Sequence, residues 1–131
     1  GDWFCGEQNT SSDEDYVTLY RYALNYLKNK GLHNLISVYN PAGNFNSVDE
    51  FLKRYPGNHY VDIVSFDTYQ LDKTEKGTSD FAQNLDRSLS ILEEVAKQKS
   101  KIPSIGELGF NNIPNPKWFT TILEPILDKH H

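Results

Sequence analysis

KIPSIGELGF, residues 101–110, is a short apolar run that stops at a carboxylate beside a glycine, Glu107. Such a run is typical of a buried parallel strand, and α/β barrels and open α/β sheets bind their ligands at the carboxyl ends of such strands. The pattern makes Glu107 a catalytic candidate, suited to act as an acid, a base, a nucleophile or a metal ligand. The competing interpretation is a carboxylate in a surface loop.

A second stretch repeats this design. Residues 60–66, YVDIVSF, read as a strand and run out into residues 67–70, DTYQ. Two strands that end in polar or aromatic residues suggest one shared site. The Tyr69 hydroxyl could position a neighbouring carboxylate, or the ring could cover the core with its tip in water. Asp67 either supports the site or caps the following turn.

Four aromatic side chains are candidates for sugar binding, because sugar rings stack on flat apolar faces. Trp3 and Phe4 lie near the N-terminus, and Tyr39 and Phe110 follow other predicted strands. The alternative for each of the four is simple packing in the core.

Helical and strand patterns alternate along the chain. Periodicity and capping signals predict helices over about 13–30 and 47–54, from Thr78 or Ser79 onward, and from Pro116 onward with a division at Pro125. Strands are predicted at 32–39, 60–66 and 102–106. The alternation implies a parallel sheet with right-handed crossovers. Three strands with helices on one face suggest about three-eighths of an eight-stranded barrel, which other chain segments must close.

Composition excludes several classes of protein. The 131 residues suffice for one domain at most or for a piece of one. A net charge of −5 without a basic stripe disfavours a nucleic-acid partner. The single cysteine, Cys5, rules out an internal disulfide framework, and no apolar stretch approaches the ~20 residues of a membrane span. No phosphate loop, HExxH, GxSxG or CxxC motif is present, and no metal or organic cofactor is expected.

Seven stretches then match one family in their order along the chain: GDWFCG (1–6), LYRY (19–22), KGLHNLI (30–36), YPG (55–57), YVDIVSFDTY (60–69), GELGF (106–110) and PKW (116–118). The chain resembles the C-terminal half of glycoside hydrolase family 26, the β-mannanase family among the retaining (β/α)8-barrel glycosidases. The resemblance covers nearly the whole chain. It implies a partial TIM barrel, strands five to seven with flanking helices, in which 1–131 is a single fragment of the catalytic domain.

The resemblance also implies residue roles. Glu107 would be the catalytic nucleophile, Tyr69 would hydrogen-bond and steer it, Trp3 would line the subsite of the sugar under attack, and Asp67 would be a supporting residue. The family's general acid/base belongs to a His-Glu pair expected just upstream of Gly1. The 131 residues alone are therefore expected to be inactive, as a segment of an endo-β-1,4-mannanase that is secreted, periplasmic or at the cell surface and acts on β-mannan.

Alternatives stay open. Family members often carry tryptophans near Cys5 and Ser37, so the substrate could instead be a xylan or a mixed-linkage glucan. A non-catalytic or degenerate carbohydrate-binding protein would keep the aromatic lining without turnover. An isolated fragment would expose the inward face of its strands and would self-associate unless the remainder of the barrel covers it. The apolar residues expected on that face are Ile36, Val38, Ile63 or Ile105, depending on register.

Overall fold

The computed structural model describes residues 12–130, which form helices on one side of short parallel strands. The helices are α1 (Asp13–Asn29), α2 (Val48–Leu52), α3 (Glu75–Lys99) and α4 (Glu124–Leu127). A 3-10 turn spans Asn58–Tyr60 and a π-helical turn spans Phe119–Leu123. The strands are β1 (Val38–Tyr39), β2 (Ile63–Val64), β3 (Asp67–Gln70), β4 (Ile102–Pro103) and β5 (Glu107–Phe110).

The five strands make three parallel tracts. Strand β2 pairs with β1 on one side and with β4 on the other, while β3 pairs with β5. Backbone hydrogen bonds bridge the breaks, from Ser65 N to the Tyr39 carbonyl and from Gly106 N to the Phe66 carbonyl, each 2.9 Å. The predicted parallel arrangement is confirmed.

The predicted strand boundaries need correction. Of residues 32–39, only the last two form a regular strand. The second strand begins at Ile63, because Asn58–Tyr60 form a 3-10 turn. The third does not stop at 106: Glu107 opens β5 and does not end a strand.

Helix α1 begins where its capping signal predicts. Ser12 Oγ accepts a hydrogen bond from Asp15 N at 3.1 Å, and Asp15 Oδ2 accepts one from Ser12 N at 2.9 Å, which completes a capping box. Helix α2 is capped by Ser47, whose Oγ accepts from Glu50 N at 3.1 Å. These side chains satisfy N–H groups that have no partner within the helix.

The predicted start of α3 is wrong by several residues. Thr74 caps the helix, and its Oγ1 accepts a hydrogen bond from Gly77 N at 3.0 Å. Gly77 lies inside the first turns beneath the Asp72 side chain, and a Cβ there would come within 2.3 Å of Asp72 Cβ. A glycine at this position lets the Asp72 side chain approach the helix backbone closely. An apolar stripe along α3 is buried: Phe81, Leu85, Leu89, Leu92 and Val95.

The core lies between this stripe and one face of the strand tracts. Trp118 and Ile126 close it from the C-terminal segment. The division expected at Pro125 is confirmed, because the π-helical turn passes into α4, where proline occupies a first-turn position that needs no N–H bond. The other face is open, with Ile36 72 % and Ile102 63 % exposed and Val38 also exposed. Ile63 and Ile105 are half-buried.

A buried polar cluster ties β3 to the C-terminal segment. Gln70 is 1 % exposed, and its Oε1 accepts a hydrogen bond from Trp118 Nε1 at 2.7 Å. Its Nε2 donates to Thr78 Oγ1 at 2.8 Å and to the Asp72 carbonyl at 2.9 Å. Every polar atom of this amide is therefore paired, which offsets its removal from water.

Replacing Gln70 by leucine should lower the free energy of unfolding by about 2–4 kcal/mol, because the buried Trp118 indole N–H and the Asp72 carbonyl each lose a partner. The measurement is urea unfolding of the full-length gene product. Gln83→Leu, on the exposed face of α3, is the matched control and should change stability by less than about 0.5 kcal/mol. Equal unfolding midpoints for the two variants would contradict the assigned role.

None of the helices in the described part of the chain has the length and apolar character needed to cross a bilayer.

Candidate functional site

The site centres on Glu107 and Tyr69, whose side chains meet between neighbouring strands. The Tyr69 hydroxyl donates a short hydrogen bond to Glu107 Oε2. In the β3–β5 register Asp67 is paired with Glu107 and Tyr69 with Gly109. Side chains two residues apart on a strand share a face, so Asp67 and Tyr69 lie on the same side as Glu107. The sequence prediction of one shared site at these two tracts is consistent with this geometry.

A β-bulge precedes Glu107. Val64 pairs with Pro103 and Asp67 pairs with Glu107, so two residues on one tract face three on the other. The bulge contains Gly106, where a Cβ would lie 2.3 Å from Asn40 Oδ1 and 2.7 Å from Ser65 Oγ. Any other residue would push these groups aside. An extra residue in a ladder re-aims the side chain that follows it, here that of Glu107.

The surroundings of Tyr69 favour its protonated form. Its pKa is raised above the ordinary value, first by the hydrogen bond to Glu107, then by partial loss of solvent and by the negative charges of Glu107 and Asp67. The hydroxyl therefore stays a donor at neutral pH. Because Tyr69 is 50 % exposed, the phenol remains accessible from the open side of the sheet.

A cleft of about 920 Å³ lies over these residues. It is bounded by the segments that follow β1 and β3 and by one side of α3. Its lining is rich in groups that can hydrogen-bond hydroxyls: Asn40, Asn44, Thr68, Asp72, Asn84 and Arg87. Asp67 Oδ1 is buried at this site and has no hydrogen-bond partner in the described part of the chain. A buried carboxylate oxygen of this kind needs a partner from water, from a ligand or from protein outside residues 12–130.

Comparison with known proteins identifies the family. The sequence model of glycosyl hydrolase family 26 matches residues 1–123. The chain belongs to glycosyl hydrolase family 26. It is 32 % identical over 111 residues to a mannan endo-1,4-β-mannosidase of Bifidobacterium adolescentis. The matched stretch is 83 % of this chain and 11 % of that protein. It is 28 % identical to endoglucanase H of Acetivibrio thermocellus over 96 % of this chain and 15 % of that protein.

Solved family 26 structures show the same fold. A β-mannanase of Bacteroides ovatus superimposes with a TM-score of 0.90 at 33 % identity, covering 99 % of this chain and 36 % of that one. An endo-β-1,4-mannanase of Cellulomonas fimi gives 0.81 at 28 % identity, covering 96 % and 29 %. The chain thus spans about a third of the length of these structures, and its α/β fold is the expected partial TIM barrel.

The residues predicted for the site of this family 26 chain have different outcomes in the structure. Glu107, Tyr69 and Asp67 lie together. Trp3 and Phe4 fall outside the described residues.

The prediction that sugar rings stack on Tyr39 and Phe110 is wrong. Tyr39 is 2 % exposed, and its hydroxyl donates to the Phe51 carbonyl at 2.8 Å. Phe110 is 7 % exposed and packs against Trp118, with ring centroids 5.9 Å apart. Further chain segments can only bury these rings more, so neither offers a free face to a sugar.

Sequence reasoning missed Asn40 and Arg87 in the cleft lining. Asn40 directly follows a predicted strand and precedes a proline, so the strand-end rule that selected Glu107 would have found it. Arg87 carries no such signal, because it reaches the cleft from a helix, where its Nη2 donates to Asn84 Oδ1 at 2.7 Å.

Proposed function

We propose that this chain is a segment of a retaining endo-β-1,4-mannanase in which Glu107 is the nucleophile. The observation that supports this most directly is the hydrogen bond from the Tyr69 hydroxyl to Glu107 Oε2 within the cleft. A nucleophilic carboxylate must be held in one orientation toward the anomeric carbon. One oxygen bonded to a fixed phenol leaves the other free to attack.

The proposed reaction has two steps. Glu107 attacks the anomeric carbon and the glycosidic bond breaks, while a second carboxylic acid gives its proton to the departing oxygen. That second group, now a carboxylate, takes a proton from water, whose oxygen displaces Glu107 from the glycosyl-enzyme. The two carboxyl groups must stand about 5–5.5 Å apart. We place the second one upstream of Gly1, so that hydrolysis belongs to the full-length gene product and residues 1–131 alone are inactive.

The substrate proposed is β-mannan, because the relatives that match the chain include mannan endo-1,4-β-mannosidases of Bifidobacterium adolescentis and Bacillus subtilis. The match to an endoglucanase over nearly the whole chain supports a β-glucan as the second candidate. No cofactor enters the proposed steps. A polymeric substrate is met outside the cytoplasm, so we propose a secreted, periplasmic or cell-surface location.

The test is incubation of the full-length gene product with β-mannan, β-1,3-xylan and mixed-linkage β-glucan. We expect shorter oligosaccharides from β-mannan, with the β-anomer as the first product in the proton NMR spectrum, because two displacements at one carbon restore its configuration. Early appearance of the α-anomer would exclude a retaining nucleophile. Oligosaccharide binding without any hydrolysis would indicate a carbohydrate-binding protein instead.

A further inference from the structure

We propose that Asn40 is a substrate-binding residue of this cleft, with its side-chain N–H groups directed to the hydroxyl oxygens of a neutral sugar. The proposal rests on the function proposed above and adds a residue to its site. Asn40 directly follows the last residue of β1, at the carboxyl end of that strand, and lines the same cleft as Tyr69 and Glu107. Parallel strands bring their carboxyl ends to one side of a barrel, which is where substrates bind.

The orientation of the Asn40 amide is fixed from below. Ser65, which is completely buried on the neighbouring tract, donates from Oγ to Asn40 Oδ1 at 2.6 Å. The same oxygen lies against Gly106, the residue before Glu107, where only a glycine leaves room for it. The amide is therefore packed on the backbone that carries the proposed nucleophile.

This fixation leaves the amino end of the amide unused. Asn40 Nδ2 makes no hydrogen bond to any other residue of the range 12–130. The one unpaired side-chain atom that is buried in this range is Asp67 Oδ1, so Asn40 Nδ2 is accessible to solvent. Its side chain is half-buried and lines the cleft. An oriented N–H donor beside a reacting group is a typical means of positioning a substrate.

The charges of the cleft indicate the class of ligand. Four carboxylates line it, those of Asp67, Asp72, Asp80 and Glu107. Among residues 12–130, two guanidinium groups line the same cleft, those of Arg54 and Arg87, and Arg54 is paired with Asp13 at 2.6 Å. A surplus of negative charge disfavours anionic ligands such as uronic-acid or sulfated polymers. An uncharged amide donor in this setting suits a neutral, hydroxyl-rich glycan.

The competing explanation is that Asn40 serves only to fill the space between Ser65 and Gly106. Asn40→Asp separates the two roles, because aspartate has the same shape and still accepts the Ser65 hydrogen bond but lacks the two N–H donors. The measurement is made in the Glu107→Gln background, which removes one negative charge from the same cleft and should stop turnover. Asn25→Asp, on α1 away from the cleft, makes the same chemical change and is the matched control.

The experiment titrates the full-length gene product with β-1,4-mannohexaose in a calorimeter. We expect Asn40→Asp to raise Kd by about tenfold or more and Asn25→Asp to leave it unchanged, with equal melting temperatures for both. If Asn40→Asp melts lower than the control, Asn40→Ser, which removes the amide without adding charge, should show the same loss of affinity.

An unchanged Kd in these Asn40 variants overturns the proposal. The proposal is also overturned if the Glu107→Gln protein that keeps Asn40 binds none of mannohexaose, cellohexaose and xylohexaose. Hydrolysis of the hexasaccharide by the Glu107→Gln protein would refute the nucleophile assignment separately. In that case a rise in KM in Asn40→Asp supports the role of Asn40, and an unchanged KM overturns it.

Discussion

Replacing Glu107 by alanine in the full-length gene product is expected to lower the rate of mannan hydrolysis by about 10⁴-fold or more, because no carboxylate remains to form the glycosyl-enzyme. The measurement is the release of reducing ends from β-mannan. Glu124→Ala is the control, since that side chain is exposed on the short C-terminal helix. We expect the control to retain the rate of the unsubstituted protein.

Added azide provides a second measurement on the Glu107→Ala variant. Azide can enter the space left by the carboxylate and attack the anomeric carbon of an activated mannoside, while the leaving group departs with its bonding electrons. The expected product is the α-mannosyl azide, formed by a single displacement with inversion. Full activity of Glu107→Ala without azide would show that the nucleophile is another group.

Replacing Tyr69 by phenylalanine is expected to lower kcat by about 10²- to 10³-fold, because the variant loses the hydroxyl donor that holds Glu107 in place. The ring and its packing remain and only one exposed hydrogen bond is lost, so the melting temperature should fall little. The effect should fall on kcat more than on KM, since the lost contact is to the nucleophile. Tyr22→Phe is the control, because that hydroxyl lies on the exposed face of α1.

The same pair of variants tests the electrostatics of the site. The hydrogen bond to Glu107 favours the protonated phenol and raises its pKa in the folded protein above the ordinary value of 10.0. The contribution of this hydrogen bond to the stability of the folded protein is therefore fully present below the ordinary pKa of a phenol. It is lost as the pH rises through the raised pKa of Tyr69. Ultraviolet difference titration should show that Tyr69→Phe removes a phenol with a pKa above the ordinary value. Removal of a phenol that titrates below it would contradict the assigned contact.

Local sequence signals identified much of the fold. Ser12 and Ser47 cap helices where their spacing to Asp15 and Glu50 predicts. Two predictions failed. Helix α3 begins before Thr78 and Ser79, because Thr74 caps it and Gly77 fits inside its first turns against Asp72. The regular strands are shorter than their apolar runs, since pairing is interrupted between β2 and β3 and between β4 and β5.

For the site, the sequence indicated an acid and a phenol at the ends of adjacent strands, and the structure joins them. It could not indicate which aromatic rings are exposed. Tyr39 and Phe110 follow strand patterns in the same way as Tyr69, yet both are buried, one against Phe51 and the other against Trp118. Each of those partners lies on a segment that only the tertiary arrangement brings to the strand.

The sequence by itself determined the order of helices and strands, the parallel arrangement and the presence of a carboxylate at position 107, because each follows from local periodicity, caps and residue chemistry. The tertiary structure decided the orientation of that carboxylate and the groups that surround it. A strand alternates its side chains between two faces, and the bulge at Gly106 resets this alternation. The space for that bulge is defined by Asn40 and Ser65 on two other tracts.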